Sequence, residues 1–216
     1  MKTKLVSMTQ MLVNGINTPE ELIVYIARVS NPNNQLNTQT APSLIRYLVK
    51  NKHWSPFEMV NICFEIETSR AISQQLIRHK SFSFQEFSQR YSKVENFEPI
   101  ELRKQAIKDR QSSSDIINDK TLQDTVKMAI DGSFSCYNLL LEHGVAKEVA
   151  RMVLPLTTKT RLYMNGSLRS WIHFLDVRDN EHAQKETQEI AREIKNSLKY
   201  HFPNVFDALS LTEKAQ

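Results

Sequence analysis

The amino-acid sequence predicts an α+β fold in a single domain of residues 1–216, with helices outnumbering strands. The composition, 40% apolar and 24% charged, is that of an ordinary globular protein. Apolar and polar residues alternate over residues 58–68, which is the pattern of a half-buried strand. Over residues 121–143, apolar residues recur with helical spacing instead. Both patterns occur in one chain without an internal repeat, and together they predict the α+β class.

The remaining elements follow from the same two patterns and from helix-end signals. In chain order, we expect strands over residues 5–13 and 156–164 and helices over residues 19–30, 42–51, 69–79, 146–153, 168–177 and 182–200. Pro19 suits the first turn of a helix, Gly144 suits a helix end, and Pro203 is expected to close the last helix. The polar stretch 98–120 is expected to be an excursion or a partly ordered connection.

Composition also excludes several classes of protein. No apolar run approaches the roughly 18 residues that span a membrane, and the N-terminus lacks the apolar stretch of a signal peptide. The two cysteines, Cys63 and Cys136, are too few for a disulfide framework and favour a reducing compartment. We therefore expect a soluble, intracellular, cytoplasmic protein in which both cysteines are inert packing residues.

The charge and the glycines limit how the chain could hold a nucleotide. A net charge of +4 favours anionic partners only weakly, because lysine and arginine are scattered along the chain. A mildly basic surface and a phosphorylated small-molecule ligand both fit this charge. The four glycines are isolated, so neither a dinucleotide fingerprint nor a P-loop is present. Side chains must hold any nucleotide phosphate, and arginine suits that geometry best.

The segment 75–91 combines many polar side chains with three phenylalanines. Its polar residues include Gln75, Arg78, His79, Lys80, Glu86, Ser88, Gln89 and Arg90. Phe82, Phe84 and Phe87 indicate that the segment is packed, and packed polar groups need partners. The residues alone allow a capped helix followed by a satisfied surface loop, or a binding segment.

A second polar cluster lies on the helix predicted over residues 168–177. Arg169 and His173, four residues apart, share one face of this helix, and Arg178 lies at its end. A lone histidine on such a helix is usually structural. Two arginines and a histidine beside Ser167 favour an anion-binding or ring-binding face instead.

These two clusters resemble the flavin-dependent thymidylate synthases. The family signature is Arg-His-Arg, seven residues and Ser; Arg78, His79 and Ser88 match it, whereas Lys80 replaces the second arginine. Further segments in the family's order are HWSPFE at 53–58, AR-x-x-LP at 150–155 and the run from SLRSWIHF to AQ-x-E at 167–186. The resemblance covers nearly the whole chain.

The resemblance implies an enzyme that reductively methylates dUMP to dTMP. Methylenetetrahydrofolate would donate the carbon, FAD would be the cofactor, NADPH would be the reductant, and no metal would be needed. The implied FAD-binding residues are His53, Ser55, Arg78, His79, Lys80, Glu86, Ser167, Leu168, Arg169 and His173. The implied dUMP-binding residues are Gln75, Arg78, Glu86, Ser88, Gln89, Arg90, Arg151 and Arg178, with Arg178 catalytic through stabilisation of ring charge.

The resemblance also implies a central mixed sheet wrapped by helices. It further implies a homotetramer whose sites are shared between subunits, with no nucleic-acid or membrane partner.

Two rival interpretations are a nucleic-acid-binding module that stacks bases on the phenylalanines of 78–91 and a flavoprotein with a structural or regulatory role. A thiolate mechanism is not expected, because neither cysteine lies beside a polar cluster. Ser88 lacks a neighbouring general base, so it is assigned to substrate binding.

Overall fold

The computed structural model describes residues 1–213 of the chain. Its strands are β1 (Lys2–Met8), β2 (Asn61–Ser69), β3 (Ser83–Glu86), β4 (Arg103–Gln105), β5 (Ser113–Ile116) and β6 (Lys159–Ser167). Its α-helices are α1 (Pro19–Ala27), α2 (Ala41–Lys50), α3 (Arg70–Leu76), α4 (Lys120–Glu142), α5 (Lys147–Ala150), α6 (Leu168–Arg178), α7 (Lys185–His201) and α8 (Pro203–Glu213). The α+β class is confirmed, and so is the expectation that helices outnumber strands.

The main sheet has four strands in the order β1-β2-β6-β3. Every neighbouring pair in this order runs antiparallel. The prediction of a mixed sheet is therefore wrong. A parallel pair would need a crossover that returns the chain to the same end of the sheet, whereas each strand here enters from the end opposite to its neighbours.

The two central strands, β2 and β6, explain why one face of the sheet is buried. They pair over nine residues each, from Asn61 with Ser167 to Ser69 with Lys159. Side chains alternate between faces along a strand, so Phe64 lies in the core while Cys63 is only half-buried on the other face. The Trp171 ring of α6 packs against Phe64 and donates its indole N–H to the carbonyl of Ile62, 3.0 Å away.

Most helix predictions are confirmed, with ends shifted by a few residues. At the start of α1, Thr18 and Glu21 form the reciprocal hydrogen bonds of a capping box. Helix α7 ends at His201, just before Pro203, as predicted, but Pro203 also begins α8, which was not predicted. Proline fits either position. Glu20 accepts hydrogen bonds from Asn204 and from the main chain of Val205, and its burial raises the pKa of its carboxyl.

One predicted strand is shifted, and three strands were not predicted. The opening strand covers residues 2–8 rather than 5–13. Strand β3 was not predicted, although the alternating phenylalanines around it were assigned to packed structure. The polar stretch 98–120 holds β4 and β5, which pair as a separate two-stranded sheet. Residues such as Lys, Gln, Ser and Asp are poor strand formers, which is why the sequence gives no signal for this hairpin.

Helix α4 follows its predicted range closely but is mostly exposed. Of its 23 residues only Ile130 and Tyr137 are buried, the latter in a small second core with Val94 and Ala150. Cys136 is exposed, so its assignment as a packing residue is wrong. A helix turns by about 100° per residue, which points Cys136 away from the face that buries Tyr137. Within residues 1–213, no helix combines the length and apolar character of a membrane span.

Candidate functional site

The start of α6 is fixed by Glu58, a residue in a short 3-10 turn that the sequence interpretation did not select. Its carboxylate accepts hydrogen bonds from the Ser167 hydroxyl at 2.6 Å and from Arg169 at 2.7 Å. The Ser167 hydrogen bond, with help from Arg169, holds the pKa of Glu58 below its usual value. Glu58 therefore stays ionised and orients two predicted FAD-binding residues. Its place in HWSPFE was the available signal.

A cavity of about 1000 Å³ runs along α6 from this end and is also lined by residues of α7 and α8. Its wall includes Trp54, Glu58, Arg169, Ser170 and His173. The volume lies at the upper end of the range for ligand sites, and the mixture of an aromatic ring with convergent polar groups is typical of them. The helix face that carries Arg169 and His173 was predicted to bind an anion or a ring, and it does line the cavity.

The other end of α6 carries a second group of predicted residues, here called the Arg178 cluster: Gln75, His79 and Arg178. Arg178 donates from Nε to Nε2 of His79 at 2.9 Å and from Nη2 to the main-chain oxygen of Gln75 at 3.2 Å. Burial lowers the pKa of Arg178, and nearby Arg78 lowers it further. The fold thus joins residues about a hundred positions apart, as a shared site requires.

His79 is a neutral acceptor in this cluster. Burial is the main cause that lowers its pKa from 6.5 to about 4, and the positive field of Arg178 and the neighbouring His173 act in the same direction. Because Nε2 accepts the Arg178 hydrogen bond, the ring proton lies on Nδ1. The ring also packs edge-on against Phe174 at 5.1 Å between centroids. The orientation of Arg178 therefore depends on an uncharged, packed imidazole.

Two residues predicted to contact the nucleotide already have partners within the chain. Both ends of the Gln75 amide are engaged, by Gln184 at 2.6 Å and by Thr187 at 3.1 Å. Glu86 pairs with Arg70 at 2.5 Å and accepts from Thr160 at 2.8 Å. Their side chains are therefore fixed in place by the fold. Arg70, outside the family motifs, was not predicted.

Ser88 and Arg90 lie on a separate cavity of about 430 Å³, here called the Arg90 pocket, with Tyr91, Lys147 and Glu148. Arg90 contacts one oxygen of Glu148 from two nitrogens, at 3.2 and 3.0 Å. Gln89 is buried, and its Nε2 finds no hydrogen-bond partner within residues 1–213. The exposed Arg90 guanidinium is suited to receive an additional anionic group, whereas Gln89 does not line this pocket.

The other predicted residues are more scattered. His53, Ser55, Arg78 and Lys80 are exposed, and Arg151 is half-buried in a 3-10 turn. Among residues 1–213, the lining of the Arg90 pocket does not include Arg151. Leu168 is fully buried, and its main-chain N–H donates to Val60. The Leu168 side chain therefore packs into the core, and the assignment of Leu168 to FAD binding stays a prediction.

The phenylalanines of segment 75–91 are not an open stacking surface. Phe82 is 8% exposed and packs against Trp171, with ring centroids 4.6 Å apart. A Cβ at Gly166 would lie 2.5 Å from the Phe82 ring, so only glycine allows this close approach. Phe82 is therefore unavailable to stack a base.

Within residues 1–213, no group of three or more His, Cys, Asp or Glu residues is placed to hold a metal ion.

Comparison with known proteins identifies the relatives of this chain. A family model described as "Thymidylate synthase complementing protein" matches residues 11–204. The chain is 45% identical to a probable flavin-dependent thymidylate synthase of Paramecium bursaria Chlorella virus 1, over 97% of this chain and 99% of that one. It is 46% identical to the flavin-dependent thymidylate synthase of Synechocystis sp., over 89% and 90%. A solved structure, the UMP/dUMP methylase PolB from Streptomyces cacaoi bound with 5-Br dUMP, superposes with a TM-score of 0.83 at 28% identity over 97% and 94%.

Proposed function

Because this chain belongs to the thymidylate synthase complementing protein family, the flavin-dependent thymidylate synthases, we propose that it reductively methylates dUMP to dTMP. The carbon donor in the proposal is methylenetetrahydrofolate, the cofactor is FAD and the reductant is NADPH. One observation carries the proposal: Arg178 is held by His79 and Gln75, which brings the family signature to the end of the polar helix.

Arg178 has the properties needed to activate the pyrimidine. Methylation requires electron density at the fifth ring carbon, and the accompanying negative charge builds on the ring imide. A fixed cation aimed at that imide stabilises the charge as an oxyanion hole does. A guanidinium has five N–H groups, and the described chain engages two of those of Arg178. The others can meet the ring oxygen and nitrogen.

The large cavity fits a flavin on chemical grounds. Arg169 supplies a cation for phosphate, His173 and Ser170 supply polar contacts for a ring edge, and Trp54 supplies an aromatic surface. In the proposal Ser167, Arg169 and His173 hold the FAD together with residues of the signature, including His79. Bound FAD would supply hydride transfer. The residues of the chain bind and orient the ligands and exclude water.

The Arg90 pocket is the proposed site of the dUMP phosphate. That phosphate carries almost two negative charges, and bidentate guanidinium contacts suit it. Ser88 and Lys147 lie on the same pocket and supply further donors. In the proposal the phosphate replaces Glu148 as the partner of Arg90, since a dianion attracts the guanidinium more strongly than an exposed carboxylate does.

The site is proposed to be completed by other copies of the chain in a homotetramer. Helix α4 leaves large apolar side chains in solvent, including Leu122, Met128 and Leu139. Exposed apolar area of this kind favours an interface between copies. The proposal also accounts for the distance between the predicted phosphate ligands: Arg151 of one chain and Arg90 of another would reach the same nucleotide.

The test is dTMP formation from dUMP by the purified protein supplied with methylenetetrahydrofolate, NADPH and FAD. Each component is omitted in turn. We expect turnover in the complete mixture and its loss without the folate, without the reductant or, in flavin-stripped protein, without FAD. Turnover that persists in flavin-stripped protein, or no dTMP in the complete mixture, would contradict the proposal.

A further inference from the structure

The β4–β5 hairpin is attached to the rest of the chain by charge rather than by an apolar core. All four residues of β5 are exposed, and so is Ile107 in the turn. Arg103 is largely buried, with a side chain only 12% exposed. Its guanidinium contacts Glu101 at 2.9 Å and Glu186 at 2.7 Å. Arg103 therefore ties the hairpin to the first turn of α7.

A continuous series of hydrogen bonds leads from Arg103 to the Arg178 cluster. Glu186 binds Arg103 through one carboxylate oxygen and accepts from the Gln184 amide, at 2.9 Å, through the other. Gln184 in turn accepts from the Gln75 amide at 2.6 Å. The main-chain oxygen of Gln75 accepts from Arg178 at 3.2 Å. Each hydrogen bond is within the normal distance range, and the two parts of the series meet at Gln75, through its side chain and its main-chain oxygen.

The first turn of α7 needs such an external attachment. Gln184 stands at the position before α7 and makes no side-chain capping hydrogen bond. The residues between α6 and α7 are mostly exposed. Two ion pairs, one to β4 and one to the residue two before it, contact the helix start instead: Arg103 with Glu186, and Glu101 with Lys185 at 2.7 Å. Uncapped helix ends fray readily, so these ion pairs decide where Gln184 lies.

We propose that Arg103 is a positioning residue for the methylation site, acting through Glu186 and Gln184 on Gln75 and Arg178. Arg103 lies outside the family motifs and touches no proposed ligand. The inference rests on the proposed function for its catalytic consequence, because only a reaction at Arg178 makes the placement of Gln75 matter. Its structural consequence, a fixed first turn of α7, is measurable without any reaction.

The test compares Arg103→Met with Lys104→Met. Lys104 is the adjacent residue on the same hairpin, and its ion pair with Asp115 is exposed on both sides. The two variants lose the same charge and gain the same side chain. They differ in burial and in the contacts that Arg103 makes to Glu186, Glu101 and Ser113. A misplacement of about 1 Å can reduce catalysis on the order of a hundredfold. We expect Arg103→Met to lower kcat/KM for dUMP by about tenfold at unchanged flavin content, and Lys104→Met to stay within about twofold.

Two further variants keep the test decisive if Arg103→Met folds poorly. Arg103→Lys retains the charge and should recover most of the lost kcat/KM. Gln184→Ala should lower kcat/KM by itself, and adding Arg103→Met should cause little further loss, because both act through one series of contacts. Losses that multiply in the double variant, or equal behaviour of the Arg103 and Lys104 variants, would overturn the proposal.

Amide hydrogen exchange of residues 185–188 separates the inference from the proposed function. We expect faster exchange there in Arg103→Met and unchanged exchange in Lys104→Met. Unchanged exchange in both variants overturns the positioning role even if the wild-type protein makes dTMP. A wild-type protein that makes no dTMP, with exchange altered only in Arg103→Met, refutes the proposed reaction and retains the structural link.

Discussion

The Arg178 cluster and the Arg90 pocket differ in how completely one chain builds them. Arg178 is half-buried and is held by two residues of the same chain, His79 and Gln75. The Arg90 side chain is 66% exposed. Within residues 1–213 its one ion pair is with Glu148, whose side chain is 53% exposed. Both arginines were assigned to dUMP from the same resemblance.

The difference follows from the physics of burial. A buried cation must be satisfied when the chain folds, because leaving its N–H groups unpaired is strongly unfavourable. An exposed cation is solvated and tolerates a weak surface ion pair. The Arg178 cluster is therefore defined by one chain, while the Arg90 pocket can be completed later by substrate or by another subunit. The following predictions test this contrast, from the largest expected effect to the smallest.

Arg178→Ala should abolish most turnover. We expect kcat to fall by about a hundredfold to a thousandfold, the range for deleting one oriented donor at a developing charge. Flavin content should be retained, because Arg178 is proposed to act on the pyrimidine ring. Arg46→Ala, at an exposed position of α2, is the matched control and should keep normal kinetics. Near-normal turnover of Arg178→Ala with intact flavin would refute its catalytic role.

Arg90→Ala and Arg151→Ala should each reduce kcat/KM for dUMP by about tenfold to a hundredfold, the value of a charge-assisted contact of 1.5–3 kcal/mol. Unfolding the two variants together and refolding them should give mixed oligomers. If the two arginines come from different chains, some mixed sites contain both, and activity should exceed the sum of the two variants. If they come from one chain, every site lacks one arginine and mixing restores nothing.

The neutral state of His79 should appear in the pH dependence of stability. Its folded-state pKa of about 4 lies below the ordinary 6.5, so between these values the unfolded chain binds more protons than the folded chain. The stabilisation is fully present above pH 6.5 and is lost as the pH falls toward 4. His79→Gln should flatten this decline, by at most about 1.4 kcal/mol per pH unit.

The measurement is the free energy of unfolding in urea at pH 7.5 and at pH 5. His143→Gln is the control, since His143 is exposed near the end of α4. We expect the difference between the two pH values to shrink only in His79→Gln. An equal difference in wild type and His79→Gln would show that the imidazole is not held neutral by the fold.

The sequence predicted much of the secondary structure. Where an element was missed, the reason lies in the residues of that element. Strand β2 was predictable because its alternation reflects one buried face. Helix α6 was predictable because its apolar stripe and polar face are distinct. The β4–β5 hairpin was not, because its residues are polar and it is held by Arg103. The start of α8 was missed because Pro203 suits both a helix end and a helix start.

The candidate site was predictable as a set of residues but not as a geometry. The resemblance selected Gln75, His79 and Arg178, which do lie together. It included Glu58 in the HWSPFE segment but did not assign Glu58 the role of orienting Ser167 and Arg169, because a carboxylate beside a proposed anion site has no obvious role in a sequence. Contacts between distant segments depend on the packing of the sheet, and a single sequence does not encode them in any local pattern.

Replacing both cysteines should have the smallest effect. The double change tests whether methylation depends on the Arg178 cluster and the Arg90 pocket without a contribution from a thiol. Cys63 is half-buried, and burial raises the pKa of its thiol, which disfavours a nucleophilic thiolate. Cys136 is exposed on α4 and is not part of the lining of the Arg90 pocket. The double change Cys63→Ala and Cys136→Ala should leave dTMP formation within about twofold of wild type and reduce stability by about 1 kcal/mol, mostly at Cys63. The measurements are kcat and thermal unfolding of the same preparation. Loss of activity in a folded, flavin-loaded double variant would mean that a thiol takes part in the reaction, and the role given to Arg178 would then have to be shared with it.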